Sequence, residues 1–98
     1  MDFRVIVSPE VWSDLRSIKY YISRDSSVAA DRFGEKLFSK HKILKHHPEI
    51  GRVVPEIKNM TVREIIVGNY RIMYRVNISK NQVRILRYWH AARGTPYV

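Results

Sequence analysis

Hydrophobic residues recur through the first half of the chain at intervals of three and four, the spacing of a helical face. Ser8 and Pro9, a pair typical of a helix start, precede the first face. That face contains Val11, Leu15, Ile18 and Ile22. The second face, which ends before Pro48, contains Ala30, Phe33, Leu37, His41 and Leu44. The short polar link at residues 25–27 predicts a helical hairpin, and the β-branched run at residues 3–7 predicts a strand before it.

Hydrophobic positions alternate in the second half, which predicts strands at residues 62–67, 70–76 and 83–90. Gly68 and Asn69 are predicted to form the first turn between these strands, and residues 79–82 the second. The middle strand is predicted to have one face with Tyr70, Ile72, Tyr74 and Val76. Its other face then carries Arg71, Met73 and Arg75.

The last strand has bulky residues on both sides, which predicts a central strand or a bulge. Alternation places on one side Ile85 and Trp89, and on the other Leu86, Tyr88 and His90. Residues 48–61 are predicted to be a surface loop with short extended pieces. The elements together predict an α+β fold with the order β-α-α-β-β-β. In it the helical hairpin packs on one face of a small, mainly antiparallel sheet, within one domain at residues 1–98.

The chain is strongly basic, with 18 lysines and arginines against nine acids among 98 residues, a formal net charge of +9. Residues 62–93 hold seven basic residues and one acid, so 7 − 1 = +6 of this charge lies in that stretch. Such a concentration favours an anionic partner, for example nucleic acid, the ribosome or an acidic protein. The alternative is a set of solvated lysines and arginines with no partner.

The composition argues against several kinds of site. No cysteine is present, so disulfides and thiolate metal sites are excluded. The spacing of His41, His46 and His47 does not put two imidazoles on one helical face, and we expect no metal and no cofactor. No apolar run approaches the ~20 residues of a membrane span, and the first residues lack a signal-peptide pattern. We therefore expect a cytoplasmic protein without membrane contact.

Four segments follow one another in the order SPEVWSDLRSIKYYI, HPEIGRVVPEI, VREIIVGNYRIMYRV and VRILRYWHAARG. Together they resemble the RelE/ParE superfamily, small toxins of type II toxin–antitoxin modules, over residues 5–94. The resemblance implies the fold above and a microbial toxin that a cognate antitoxin, encoded beside it, neutralises. Members similar to RelE, YoeB and HigB cut messenger RNA in the ribosomal decoding site without a metal. Members similar to ParE instead poison DNA gyrase.

Metal-free cleavage of RNA needs a base for the 2′-hydroxyl, an acid for the leaving oxygen and a cation for the developing phosphorane charge. The resemblance implies Glu56 as base, Arg71 as cation and His90 as acid or base. Each also has a structural alternative. Arg71 could pair with Glu56 or Glu64, and His90 could bond a neighbouring carbonyl.

Departures from the ribonuclease pattern favour the ParE-like members. The paired lysines of RelE-like enzymes are reduced to Lys58, and Ala91, not tyrosine, follows His90. The first hypothesis is therefore a toxin that interferes with gyrase, and the second a ribosome-dependent endoribonuclease using Arg71 and His90. An inactive member that only binds its antitoxin is the third.

Partner contacts are predicted on two surfaces. Residues expected to bind the target or its phosphates are Arg52, Arg63, Arg75, Arg87, Arg93 and Tyr97. Trp12 and Tyr21 flank the first helical face and are predicted to lie in the core or to contact the antitoxin. A homodimer through the helical hairpin is compatible with the pattern, which leaves the oligomeric state open.

Overall fold

The computed structural model describes residues 2–97. Its elements are β1 (Arg4–Val7), α1 (Pro9–Ser23), α2 (Ser27–His46), β2 (Arg52–Val53), β3 (Val62–Val67), β4 (Tyr70–Asn77) and β5 (Gln82–His90), followed by a 3-10 turn (Ala91–Arg93). The strands form one sheet in the order β1-β5-β4-β3-β2, in which β1 runs parallel to β5 and the other neighbours are antiparallel. The predicted α+β class and element order are confirmed, and β2 adds a strand within the predicted loop.

The added strand β2 pairs with Arg63 and Glu64 of β3. Gly51, the residue before β2, allows the backbone to come this close to β3 because it has no Cβ. A Cβ at Gly51 would lie 2.5 Å from the carbonyl oxygen of Glu64 and 2.5 Å from the hydroxyl of Tyr74. The Gly51 N–H instead donates a hydrogen bond of 2.9 Å to that hydroxyl. Any larger residue would therefore push β2 away from the sheet.

Both helices pack on the same side of the sheet, which we call the helix face. The main core joins both predicted helical stripes to the strands, and its buried members are Val11, Ile18, Leu37, Leu44, Val67, Ile72, Tyr74, Val76, Val83, Ile85 and Tyr88. Ser8 occupies the N-cap position of α1 without a side-chain cap, whereas the Ser26 hydroxyl caps α2 by accepting from the Ala29 N–H at 3.1 Å. Among the described residues, no helix is long and apolar enough to cross a bilayer.

The last strand, β5, is central and also contains a bulge, so both alternatives predicted for it are confirmed. Met73 pairs with Arg87 and Tyr74 pairs with Ile85, which leaves Leu86 as the extra residue. The simple alternation predicted for this strand is wrong, because the bulge changes parity after Ile85. Tyr88 joins Ile85 on the helix face, whereas Trp89 lies on the opposite side.

The opposite side of the sheet, the outer face, has a smaller core of its own. Its buried members are Val54, Val62, Met73 and Trp89. The segment after β2, residues 54–61, which we call the strap, covers part of this face through Val54 and Ile57. The chain end adds cover, because Trp89 Nε1 donates to the Gly94 carbonyl at 3.3 Å. The outer face is thus partly covered, and it is not the bare cationic surface that the charge pattern suggests.

Candidate functional site

Arg71 lies at the centre of a chain of alternating charges on the outer face. Its Nε donates to Glu64 Oε1 at 2.6 Å, and its two Nη atoms donate to the Glu56 carboxylate at 2.8 and 2.7 Å. Arg52 Nε donates to the second oxygen of Glu64 at 2.7 Å. The Arg71 side chain is 7% exposed and that of Glu64 is fully buried. The cluster therefore ties the strap, through Glu56, to the middle of the sheet.

The charges of this cluster cancel, since two arginines face two glutamates. The hydrogen bonds from Arg71 lower the pKa of Glu56 to about 2, with its own backbone N–H as a second cause. The same hydrogen bonds with Glu56 raise the pKa of Arg71, so that it stays charged at any physiological pH. Of the structural alternatives considered for Arg71, pairing with both carboxylates is the one observed.

His90 is on the helix face, at the other side of the sheet from Arg71. It pairs with Tyr70, and the two rings meet edge-on with centroids 4.9 Å apart. His90 Nδ1 accepts the N–H of Ala92 at 3.0 Å and thereby caps the 3-10 turn. The structure thus bonds His90 to a backbone N–H, whereas the structural alternative considered for it was a bond to a neighbouring carbonyl.

The three residues expected to cut RNA do not share a surface. Arg71 pairs with Trp89 and His90 pairs with Tyr70, and successive residues of a strand point to opposite faces. Glu56 and Arg71 are in direct contact on the outer face, whereas His90 lines a cleft of about 200 Å³ on the helix face. The cleft is bounded by Asp14, Ser17, Ile18, Tyr70, Tyr88, His90 and Arg93.

The arginines predicted to bind a target differ in whether an acid or a carbonyl of the chain holds them. Arg52 is bound to Glu64, and Arg63 donates to the carbonyl of Gly51 at 2.7 Å. Arg87 makes a two-bond pair with Asp14, both distances being 2.8 Å. Arg75 is exposed.

Arg93 and Tyr97 group around Trp89. The Arg93 guanidinium carbon lies 4.0 Å from the centre of the Trp89 ring, and Nη2 donates to the Tyr97 hydroxyl at 3.2 Å. The Tyr97 ring meets Trp89 edge-on at 5.0 Å. These two target-binding candidates therefore form one cation–π cluster at the chain end.

Asp14 is a structural residue that the sequence analysis did not identify. Besides holding Arg87, its Oδ2 accepts the N–H of Tyr88 at 3.0 Å. β1 pairs with β5 only as far as Ile85, so this N–H lies on a stretch of β5 without a neighbouring strand on that side. Asp14 thus satisfies a backbone donor and a guanidinium together, which attaches α1 to β5. Its single sequence signal is a carboxylate beside the helical stripe.

Trp12 and Tyr21, the predicted antitoxin contacts, are 46% and 66% exposed, so neither is a core residue. Trp12 packs against Phe38 of α2 with ring centroids 5.6 Å apart. Tyr21 is nine positions after Trp12, about two and a half helical turns. The two side chains therefore project from opposite sides of α1. A partner that contacts both must pass around this helix. Among the described residues, no three His, Cys, Asp or Glu side chains are placed to hold a metal ion.

Comparisons with known proteins give consistent matches over most of the chain. A family model described as the ParE toxin of the type II toxin–antitoxin system parDE matches residues 5–94. Toxin RelE2 of Caulobacter vibrioides is 37% identical over 82 residues, which cover 83% of this chain and 86% of that protein. A structure of the chromosomal ParDE system from P. aeruginosa superposes with a TM-score of 0.73 at 18% identity, covering 90% of this chain and 95% of that one. The structure of the RelBE2 toxin–antitoxin complex from Mycobacterium tuberculosis superposes with a TM-score of 0.60 at 21% identity, covering 92% of this chain and 99% of that one.

Proposed function

The chain belongs to the ParE toxin family of type II toxin–antitoxin systems, and we propose that it arrests growth by binding DNA gyrase without cutting RNA. The observation that carries this proposal is the placement of Arg71 and His90 on opposite faces of the sheet. Its partner within the module is a cognate antitoxin, in keeping with the ParDE and RelBE2 systems that share its fold.

The chemistry of cleavage supports the same choice. A general base works best when its pKa lies near the operating pH, and that of Glu56 is lowered to about 2. A cation stabilises a phosphorane when its charge is available, and Arg71 is held between two carboxylates. The side chain of His90 lies on the opposite face of the sheet from Arg71 and Glu56. This arrangement argues against contact of a single phosphodiester with all three groups.

Supercoiling of relaxed plasmid by purified gyrase tests the proposal. We expect inhibition by the wild-type protein at stoichiometric excess over gyrase. Relaxation of the same plasmid by a type I topoisomerase is the control. It should be inhibited much less at the same protein concentration, because a basic protein that only coats DNA would block both enzymes equally. Undiminished supercoiling, or equal inhibition of both enzymes, would contradict the proposal.

The second candidate function is ribosome-dependent cleavage of messenger RNA, which one observation favours: Glu56 and Arg71 are in direct contact. This candidate predicts cutting of ribosome-bound message. It further predicts that His90→Ala slows cutting by at least ~100-fold, the scale of a general acid or base. No cutting by the wild type would remove the candidate. Cutting that is unchanged in His90→Ala would remove the role of His90.

The antitoxin is proposed to cover exposed apolar residues of the helical hairpin. Among the described residues, half of the ten large hydrophobic side chains that are exposed lie on α1 and α2: Trp12, Tyr20, Tyr21, Val28 and Phe38. Of these, Trp12 and Phe38 are in contact, and an exposed apolar patch of this kind is typical of partner sites. The aromatic pair formed by Trp12 and Phe38 is the proposed anchor, since buried aromatic side chains carry much of the binding energy at interfaces.

A further inference from the structure

Three exposed arginines lie on the outer face in three neighbouring strands, β4, β5 and β1. Arg75 of β4 pairs directly with Arg84 of β5, and Arg84 pairs in turn with Ile6 of β1. Arg4 is two residues before Ile6 and therefore shares its face. All three arginine side chains are exposed. We call Arg4, Arg75 and Arg84 the arginine row.

The positive charge of the arginine row is not neutralised within residues 2–97. None of its three members forms an ion pair with a described carboxylate. The strands contain one acid, Glu64, and both of its oxygens are bound by Arg52 and Arg71. Like charges directly opposite each other in a sheet are destabilising, so the pair of Arg75 and Arg84 costs folding free energy. A bound anion would remove this cost.

We propose that the arginine row binds the phosphate backbone of duplex DNA without reading its sequence. Guanidinium groups on an exposed surface suit phosphates, and contacts to phosphates need no pocket. The neighbours of these arginines on the same face of the strands include Ile6, Val62, Asn77 and Gln82, and no aromatic residue is among them. The row thus lacks the stacking platform that single strands require. Its apolar neighbours Ile6 and Val62 are half-buried and buried, so it also lacks the exposed apolar anchor that a protein partner requires.

This inference does not rest on gyrase as the target. Of the arginine row, only Arg75 was predicted from the sequence to bind a target. The row excludes the arginines that acids or carbonyls of the chain hold. Arg52, Arg63 and Arg87 are engaged in this way and are outside the row.

The test is the affinity for a labelled duplex of about 20 base pairs, measured by fluorescence anisotropy from about 50 to about 200 mM salt. The row variant combines Arg4→Gln, Arg75→Gln and Arg84→Gln. The matched control combines Arg16→Gln, Arg24→Gln and Arg32→Gln, which removes three exposed arginines from the helices and changes the net charge equally. Thermal melting checks that both variants fold, and the single variant Arg84→Gln provides a milder change.

We expect the row variant to bind the duplex at least ~10-fold more weakly. The slope of log affinity against log salt should become shallower by about 2 to 3, because each lost phosphate contact removes about 0.9 from its magnitude. The control should lose less than ~3-fold. Equal losses in the two variants would overturn the proposal, because net charge alone would then explain binding. Tighter binding of a single strand, or displacement of the duplex by an equal concentration of polyglutamate, would also overturn it in favour of a different partner.

Discussion

Arg71 and His90 are on adjacent pairs of the neighbouring strands β4 and β5, yet their side chains leave opposite faces of the sheet. On the outer face Arg71 closes an ion-pair cluster that fastens the strap. On the helix face His90 caps the turn that ends β5. Both residues therefore have structural roles that account for their positions. This separation is the physical basis for proposing a toxin that acts by binding.

Replacing Arg71 should lower the free energy of unfolding, because it leaves a buried carboxylate without its main partner. Arg71→Met leaves Glu64 buried, with Arg52 as its remaining partner, and should lower the free energy of unfolding by about 3–5 kcal/mol. Adding Glu64→Met should recover much of this loss, because the uncompensated carboxylate is gone. Urea unfolding measures both losses. The control Arg75→Met changes an exposed arginine of the same strand and should change the free energy of unfolding by less than ~0.5 kcal/mol in either direction. A double variant no more stable than Arg71→Met would contradict this account of the cluster.

Asp14→Asn tests the attachment of α1 to β5. The change weakens two hydrogen bonds from Arg87 and one from the Tyr88 N–H, at a site where both partners are nearly buried. We expect a loss of about 2–3 kcal/mol in the free energy of unfolding. Asp31→Asn is the control. It removes the exposed ion pair with Lys19 and should change the free energy of unfolding by less than ~0.5 kcal/mol. Similar values for the two variants would show that Asp14 has no special role.

His41 should make the fold sensitive to mild acid. It is buried against Phe38 and bonded through Nε2 to the Tyr88 hydroxyl at 2.8 Å, and burial lowers its pKa from 6.5 to about 4. Between these values the unfolded chain binds a proton that the folded chain does not. The stability is therefore complete above pH 6.5 and falls as the pH drops towards 4.

The size of this acid effect follows from the pKa difference. Between about pH 7 and about pH 4.5, His41→Gln should lose about 2–3 kcal/mol less of its free energy of unfolding than the wild type. Urea unfolding at the two pH values gives the comparison. The matched control is His47→Gln, a change at an exposed histidine. Equal pH dependence in His41→Gln and the wild type would assign the effect to other groups.

The proposed antitoxin surface can be tested on the helical hairpin. Trp12→Ala should weaken antitoxin binding by more than ~10-fold in calorimetric titration, because the indole and the Phe38 ring form the proposed anchor. Tyr21→Ala should weaken it less, since Tyr21 lies on the other side of α1. Ile78→Ala, at an exposed apolar residue in the turn between β4 and β5, is the control and should bind as the wild type does. An unaffected Trp12→Ala variant would place the antitoxin elsewhere.

Local patterns were sufficient to predict most of the fold. The spacing of apolar residues predicted both helices, because each stripe had to be buried against the sheet. Alternation in β4 correctly separated Arg71 and Met73 from Ile72 and Tyr74. The bulge at Leu86 was not located, since it depends on how β5 meets β4 and no single residue signals it.

The site was less predictable, because it depends on contacts between distant segments. The sequence identified Glu56 and Glu64 as acids within reach of Arg71 but not that both would bind it. Their contact depends on the path of the strap, which follows the short strand β2 and brings Glu56 over the sheet. Likewise, Arg84 became part of a surface only through its register with Arg75.

The order in which syntheses stop after induction tests the central claim most directly. In a culture that expresses the protein without its antitoxin, incorporation of labelled thymidine and labelled methionine is followed in parallel. We predict that thymidine incorporation falls first while methionine incorporation continues. An immediate stop of methionine incorporation, with DNA synthesis continuing, would contradict the account and indicate cleavage of messenger RNA.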